Sequence, residues 1–454
     1  MTVSANSVDQ RKADATWLQQ WSTDDSAFWE ARGKRLAWRT LGITTVDLTL
    51  AFIVWFVVSA LVVRLPAAGF ALTTTQLFWL AALPGLAGGL MRMAHTFLVP
   101  LFGTRHVVAF ATLSLLVPAV GWYFAVQDPT TPYWVLLLLA FLAGLGGGNF
   151  SSFMPSTSLF FPKHLQGTAL AIQAGVGNFG VSIVQFVTPW IIGFALAGSL
   201  LGEPQIAGPA PEAASPIWLQ NATAIYVPFI VVFGIASWVM LRSVPVRANF
   251  GEQLDIFGMK HGLFMTFLYV GTFGTFSGLA ATFPLLIQKL YGGMPGAPDP
   301  LAYAFLGPLV GSAARIFAGP LADRLGGARV TQWSFIGLLV SAIAITFFTA
   351  PTSMAEFPYF VAVMLMLFFF AGVGNASTFK QMPMIFPPRQ AAGVIGWTSA
   401  MAAFGPFACG LMLGYALDWF GSFNPFFYWA ALFYLVCAAI NWWYYARKGA
   451  EKPC

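Results

Sequence analysis

Long apolar runs separated by short polar joints dominate the chain. Each run reaches the roughly 20 residues that a helix needs to cross a hydrocarbon layer about 30 Å thick. Twelve are predicted, at 42–64, 76–101, 106–126, 133–160, 166–198, 222–243, 262–290, 301–321, 330–350, 357–385, 391–417 and 425–446. Residues 1–41 are polar, with Trp17, Trp21, Phe28 and Trp29 set among charges. They are expected to form a cytoplasmic segment, either an amphipathic piece on the membrane face or a partly ordered tail, and carry no signal-peptide pattern. The predicted organisation is an all-α membrane protein of 12 transmembrane helices in two pseudo-symmetric halves. A six-helix half spans 42–243, a cytoplasmic linker 244–261, a second six-helix half 262–446, and a cytoplasmic tail 447–454.

Composition agrees with this pattern. Hydrophobic residues make up 58% of the 454 positions and charged residues only 8%, against about a quarter charged in soluble domains. The net charge of +6 therefore belongs to membrane-flanking loops rather than to a nucleic-acid surface. Of the 22 Lys and Arg, 17 fall on the side of the termini, among them Arg11, Lys12, Arg247 and Arg389. Two, Arg64 and Lys289, fall on the opposite side, and three lie inside spans. This bias puts both termini in the cytoplasm. The segment at 199–221 is then external; it holds Glu203 and Glu212 and ends at a short Asn221-Ala222-Thr223 sequon. Cys409, Cys437 and Cys454 have neither metal nor disulfide spacing. No nucleophile, base or metal cluster stands in the spans, so no enzyme and no cofactor is expected.

The three bases inside spans are Arg92, Arg315 and Lys380. Arg92 and Arg315 occupy equivalent places: Gly88, Arg92 and Gly103 recur as Gly311, Arg315 and Gly326, all offset by 223 residues. A shared offset near half the chain length reads as an internal duplication, which in carriers sets the substrate site between the halves. Each arginine lies eleven residues before its loop glycine. At about 1.5 Å per residue that is roughly 16 Å, near mid-membrane. A guanidinium cannot shed its proton, and Asp47, Asp323 and Asp418 are placed towards span ends. Two uncompensated cations at one depth call for a small anion, and a planar oxyanion suits the planar fork of arginine.

Lys380, seven residues before Pro387, either snorkels to the interface or faces the cavity below the arginines. In the second case it would couple one proton to one anion. His95 lies one turn beyond Arg92 and would assist that step or be bonded locally. The Gly-rich stretches Gly144–Phe150, Gly175–Gly180 and Gly372–Thr378 predict close helix approach. Asn178 and Tyr269 offer polar groups in the spans, either to a substrate or to a neighbouring helix.

The segment Gly319-Pro320-Leu321-Ala322-Asp323-Arg324-Leu325-Gly326-Gly327-Ala328-Arg329 resembles the loop signature of the major facilitator superfamily. Within it, the chain is similar to the nitrate/nitrite porter family. The likeness lies in Phe28-Trp29, in Leu83-Pro84 to Pro100, and in Asn149-Phe150-Ser151-Ser152 with Phe160-Phe161-Pro162-Lys163. Above all it lies in Ala174-Gly175-Val176-Gly177-Asn178-Phe179-Gly180, which resembles the family's nitrate signature. The second signature, Gly393 to Gly405, is looser and is followed by Pro406.

The resemblance implies that Arg92 and Arg315 clamp the anion, with Tyr269, Asn178, Phe150 and Phe273 around it. Lys380 stands where the proton-coupled branch has a lysine. The expectation is an inner-membrane, monomeric importer of nitrate working by alternating access, embedded in lipid and coupled to a proton. The alternatives are a nitrate/nitrite antiporter and an anion-binding membrane sensor.

Overall fold

A computed structural model of the chain describes residues 16–18, 21–23, 25–196, 198–207, 215–244 and 258–454. Arg11, Lys12, Glu212, Arg247 and most of the 244–261 linker lie outside the described residues. Among those described, twelve helices are long and apolar enough to cross a membrane. The first half comprises α1 (Ser26–Leu61), α2 (Thr74–Phe102), α3 (Thr104–Ala125), α4 (Tyr133–Ser158), α5 (Leu165–Ile191) and α6 (Asn221–Met240). The second comprises α7 (Lys260–Tyr291), α8 (Leu301–Leu325), α9 (Gly327–Phe348), α10 (Met354–Ile385), α11 (Gly393–Phe420) and α12 (Asn424–Ala446). An even number of crossings leaves both chain ends on one face, termed the terminal face here, opposite the far face.

The first helix departs from the predicted run. It starts at Ser26 rather than 42, because Asp25 caps it by accepting from the Ala27 and Phe28 amides at 2.9 and 3.2 Å. Trp29, Trp21, Phe160 and Phe161 then gather in a small aromatic cluster that fastens this extension to the α4–α5 joint. The Trp21 indole donates to the Leu159 carbonyl at 3.1 Å. The longer helix carries Asp47 into the bundle rather than to a span end. It is the fully buried carboxyl among the described residues, and it accepts a 2.6 Å hydrogen bond from the Ser237 hydroxyl of α6.

The duplication is visible in the backbone. Gly103 and Gly326 end α2 and α8 with φ of 80° and 92°, values that favour glycine, and their amides close on Val99 and Ala322. Farther up the same helices, Gly88 faces the Trp55 ring and Gly311 faces the Phe276 ring. Glycine also sets the helix spacing: a methyl at Gly146 would lie 2.1 Å from the Ala51 carbonyl oxygen, and one at Gly372 would lie 2.1 Å from that of Gly311.

The far-face segment between α5 and α6 adds the antiparallel strand pair β1 (Gln205–Ala207) and β2 (Ser215–Ile217), with Ile206 opposite Pro216. Asn221 of the sequon is buried beside it and donates to the Phe194 carbonyl at 2.7 Å, which is a packing role. On the far side the halves are joined by an Arg64–Asp299 ion pair. Hydrogen bonds from Gln288 to the Val63 carbonyl at 2.9 Å and from Gln185 to the Ala280 carbonyl at 2.8 Å add to it.

Gly372→Ala drives a methyl into rigid main chain and is expected to lower stability by about 1–3 kcal/mol. Gly167→Ala, with nothing within 4 Å of the added carbon, is expected to melt at or above the wild-type temperature. Thermal melts of the two variants in detergent check the pair.

Candidate functional site

The repeated position on α2 puts Arg92 in the middle of the bundle with none of its surface exposed. Its Nε donates to the Gly147 carbonyl of α4 at 2.8 Å, in the Gly-rich stretch of that helix. Its Nη1 crosses between the halves and donates to the Ser399 carbonyl of α11, also at 2.8 Å. Nη2 has no partner. The guanidinium carbon lies 4.7 Å from the Phe150 ring centre, 5.0 Å from that of Phe273 and 5.3 Å from that of Trp55. Ring faces attract a cation by about 0.5–2 kcal/mol each, and hydrogen bonds to a charged group contribute about 1.5–3 kcal/mol. Together these offset part of the desolvation of a buried charge, which amounts to several kcal/mol.

Arg315 answers it from α8. It is 8% exposed, lies 5.5 Å from the Phe379 ring centre, and its Nη1 has no partner. None of the ion pairs found among the described residues includes either arginine.

Aromatic rings join the two cations. α7 makes a π-helical turn at Val270–Gly274, a local widening common at functional sites. That turn stacks Tyr269 on Phe273, with planes 6° apart and centres 5.7 Å apart. Tyr269 meets Phe379 at 4.9 Å, so Phe273, Tyr269 and Phe379 form an arc from one guanidinium to the other. The Tyr269 hydroxyl lies close to Arg315 and Ser399, with Arg92 nearby, and meets none of them at full hydrogen-bond geometry.

Asn178 on α5 is likewise buried, with both amide atoms unpartnered. Its flanking glycines explain its place: Gly177 and Gly180 pack on Leu48 and the Thr49 carbonyl of α1, while Gly175 admits Ile316, the residue after Arg315.

Arg92, Arg315, Tyr269, Phe150 and Phe273 therefore gather at one centre, while Asn178 is buried on α5 with no hydrogen bond to them. Lys380 does not join them. It ion-pairs with Asp323 at the terminal face, its side chain 46% exposed. The reason is helical: one residue turns α10 by about 100°, and Phe379 takes the face towards Arg315. His95 bonds the Ser152 hydroxyl at 2.9 Å and is absorbed in packing α2 against α4. Sequence reasoning passed over Phe379, which stands beside the lysine it singled out, and Ser399, which lies inside the loose stretch Gly393 to Gly405. Both sit in segments it had already marked.

A model of the Major Facilitator Superfamily matches residues 48–357 and 302–453. A probable nitrate/nitrite antiporter, NarK2 of Thermus thermophilus, is 64% identical, with 98% of this chain and 100% of that protein covered. The chain belongs to the nitrate/nitrite porter family. The nitrate/nitrite transporter NarU of Escherichia coli K12 is 37% identical to this porter over 95% of the chain and 96% of its own length. An inward-facing bacterial homologue of the lysosomal transporter Spinster shares the porter's fold, with TM-score 0.63 at 16% identity over 90% of this chain and 96% of its own.

Polar groups left unbonded at the porter's centre contribute nothing to the empty fold. Tyr269→Phe and Ser399→Ala are expected to leave the melting temperature unchanged or slightly raised. Thr275→Val breaks the 2.8 Å bond to the Tyr434 hydroxyl and is expected to lower stability by about 1 kcal/mol. Melts of the three variants without added anion distinguish the two kinds of group.

Proposed function

We propose that this porter moves nitrate across the bacterial inner membrane by alternating access, exchanging it for nitrite, with both termini in the cytoplasm. The observation that carries the reading is the set of donors left unpaired around two buried cations: Arg92 Nη2, Arg315 Nη1 and the Tyr269 hydroxyl. A single planar anion answers all of them. Its oxygens take the free guanidinium N–H groups in plane. Its faces are covered by the rings of Phe150 and Phe273, one from each half.

The same charges favour exchange over one-way movement. Two guanidinium groups brought together from opposite halves repel, and the repulsion is strong where water is excluded. An anion between them reverses its sign, so the loaded protein rocks between its faces and the empty one resists. An anion shifts the two states only by its difference in affinity for them, and charge pairing supplies that difference. Each crossing then requires a return crossing with an anion bound. Proton coupling through Lys380 would need that amine near the arginines, whereas it is engaged by Asp323 at the terminal face. NarK2 and NarK1 of Thermus thermophilus, 64% and 30% identical, carry the description of probable nitrate/nitrite antiporters, which supports exchange here.

Arg92→Lys and Arg315→Lys keep the charge and lose the fork; each is expected to reduce nitrate uptake into nitrite-loaded proteoliposomes to background. Wild-type rates in both variants would end the clamp reading. In the same vesicles, uptake is expected to vanish without internal nitrite or nitrate and to persist when no pH gradient is imposed. Lys380→Gln is expected to retain exchange. Accumulation driven by a proton gradient into vesicles without internal anion would replace exchange with symport.

A further inference from the structure

A second buried, unpartnered amide stands in the other half. Asn375 of α10 is 1% exposed, and neither its nitrogen nor its oxygen has a hydrogen-bond partner. Buried primary amides are normally bonded, so a group left bare on both sides is held for something that arrives.

Its position follows from its neighbours. Gly372, one turn earlier, packs on the backbone of Gly311. Phe379, one turn later, lies against both Arg315 and Tyr269. Residues three and four apart share a helix face, so Asn375 looks the same way. Helices α8 and α10 both run from the far face to the terminal face. With Gly372 level with Gly311, Asn375 stands level with Arg315. On its other side Gly374 packs on Thr272 of α7, and the Thr378 and Thr272 hydroxyls are 3.4 Å apart. Asn375 is thus surrounded by α7, α8 and α10, and on α8 Arg315 Nη1 and the Ser312 hydroxyl are also unbonded.

We infer that Asn375 is a ligand of the transported anion and that its amide nitrogen reads the third oxygen, by which a trigonal anion differs from a bent one. This rests on the clamp reading of Arg92 and Arg315. One free terminal nitrogen on each arginine takes one oxygen. The Tyr269 hydroxyl, beside Arg315, shares the oxygen that Arg315 takes, so a bent two-oxygen anion is satisfied, and a trigonal three-oxygen anion has one oxygen left, at the level where the Asn375 amide stands. The residue acts on selectivity, with the arginines holding either anion.

The test is counterflow in proteoliposomes loaded with unlabelled anion, with labelled nitrate or nitrite outside, and a melt of each purified variant. Asn375→Leu keeps the branching and the number of side-chain heavy atoms and removes the donor. It is expected to raise the half-saturating nitrate concentration by about ten-fold or more, as loss of one bond to a charged ligand does, with a much smaller change for nitrite and an unchanged melting temperature. Asn375→Asp places a resident carboxylate beside Arg315. It is expected to abolish transport of both anions while melting at or above the wild-type temperature. An unchanged nitrate value in Asn375→Leu, equal losses for both anions, a lowered melting temperature alone, or normal transport by Asn375→Asp would each overturn the inference. Arg315→Lys, run alongside, separates the two readings. If it is inactive while Asn375→Leu is normal, only the role of Asn375 falls; if it transports normally, the clamp itself falls.

Discussion

Two guanidinium groups held in a dry bundle with no carboxylate beside them are the constraint to which the rest of this structure answers. A buried ion with a fixed proton must be met by dipoles, by ring faces or by a counter-ion. The protein supplies the first two for Arg92: the Gly147 and Ser399 carbonyls, and the rings of Phe150, Phe273 and Trp55. It withholds the third. Arg315 has the Phe379 ring and the nearby Tyr269 hydroxyl, and its Nη1 is left unbonded. Each arginine keeps one unbonded terminal nitrogen, and Arg315 is the one with a little exposure.

Packing serves that deficit. Small residues at Gly146, Gly147 and Gly372 allow backbones to touch, so the site is walled by main chain and aromatic rings rather than by flexible side chains. Where a wider turn is needed, α7 supplies a π-helical one and sets Tyr269 and Phe273 in one stack. The carboxylates lie elsewhere. Asp47 bonds Ser237 inside the first half, Asp299 joins the halves at the far face, and Asp323 is engaged at the terminal face. A carboxylate that reached the centre would act as a permanent occupant.

The twelve spans, the duplication and the central place of the arginines were legible because hydropathy and a fixed offset are properties of the chain in one dimension. Phe150, Phe273 and Tyr269 were legible through likeness to a family, since nothing in their spacing distinguishes a ring facing a cation from one facing lipid. Three matters were not legible, each for a physical reason. The start of α1 was hidden because a capped helix continues through polar residues once Asp25 and the tryptophan cluster hold it. The partner of Lys380 was hidden because a turn of about 100° on α10 decides between Arg315 and Asp323, and hydropathy does not report that rotation. Asn375 was passed over as part of a glycine-rich repeat, because an amide that bonds nothing looks in sequence like one that bonds a neighbouring helix.

The bond from Arg92 to the Ser399 carbonyl ties the buried cation to the opposite half through an acceptor that every amino acid possesses. Any swing of α11 away from α2 strips that oxygen from the guanidinium, so the moving joint and the charged centre report on each other directly. Because the tether is main chain, position 399 is free to drift among relatives without severing it. A mechanical linkage of this kind leaves no trace in a comparison of side chains and is found only by asking where each proton of a buried cation goes.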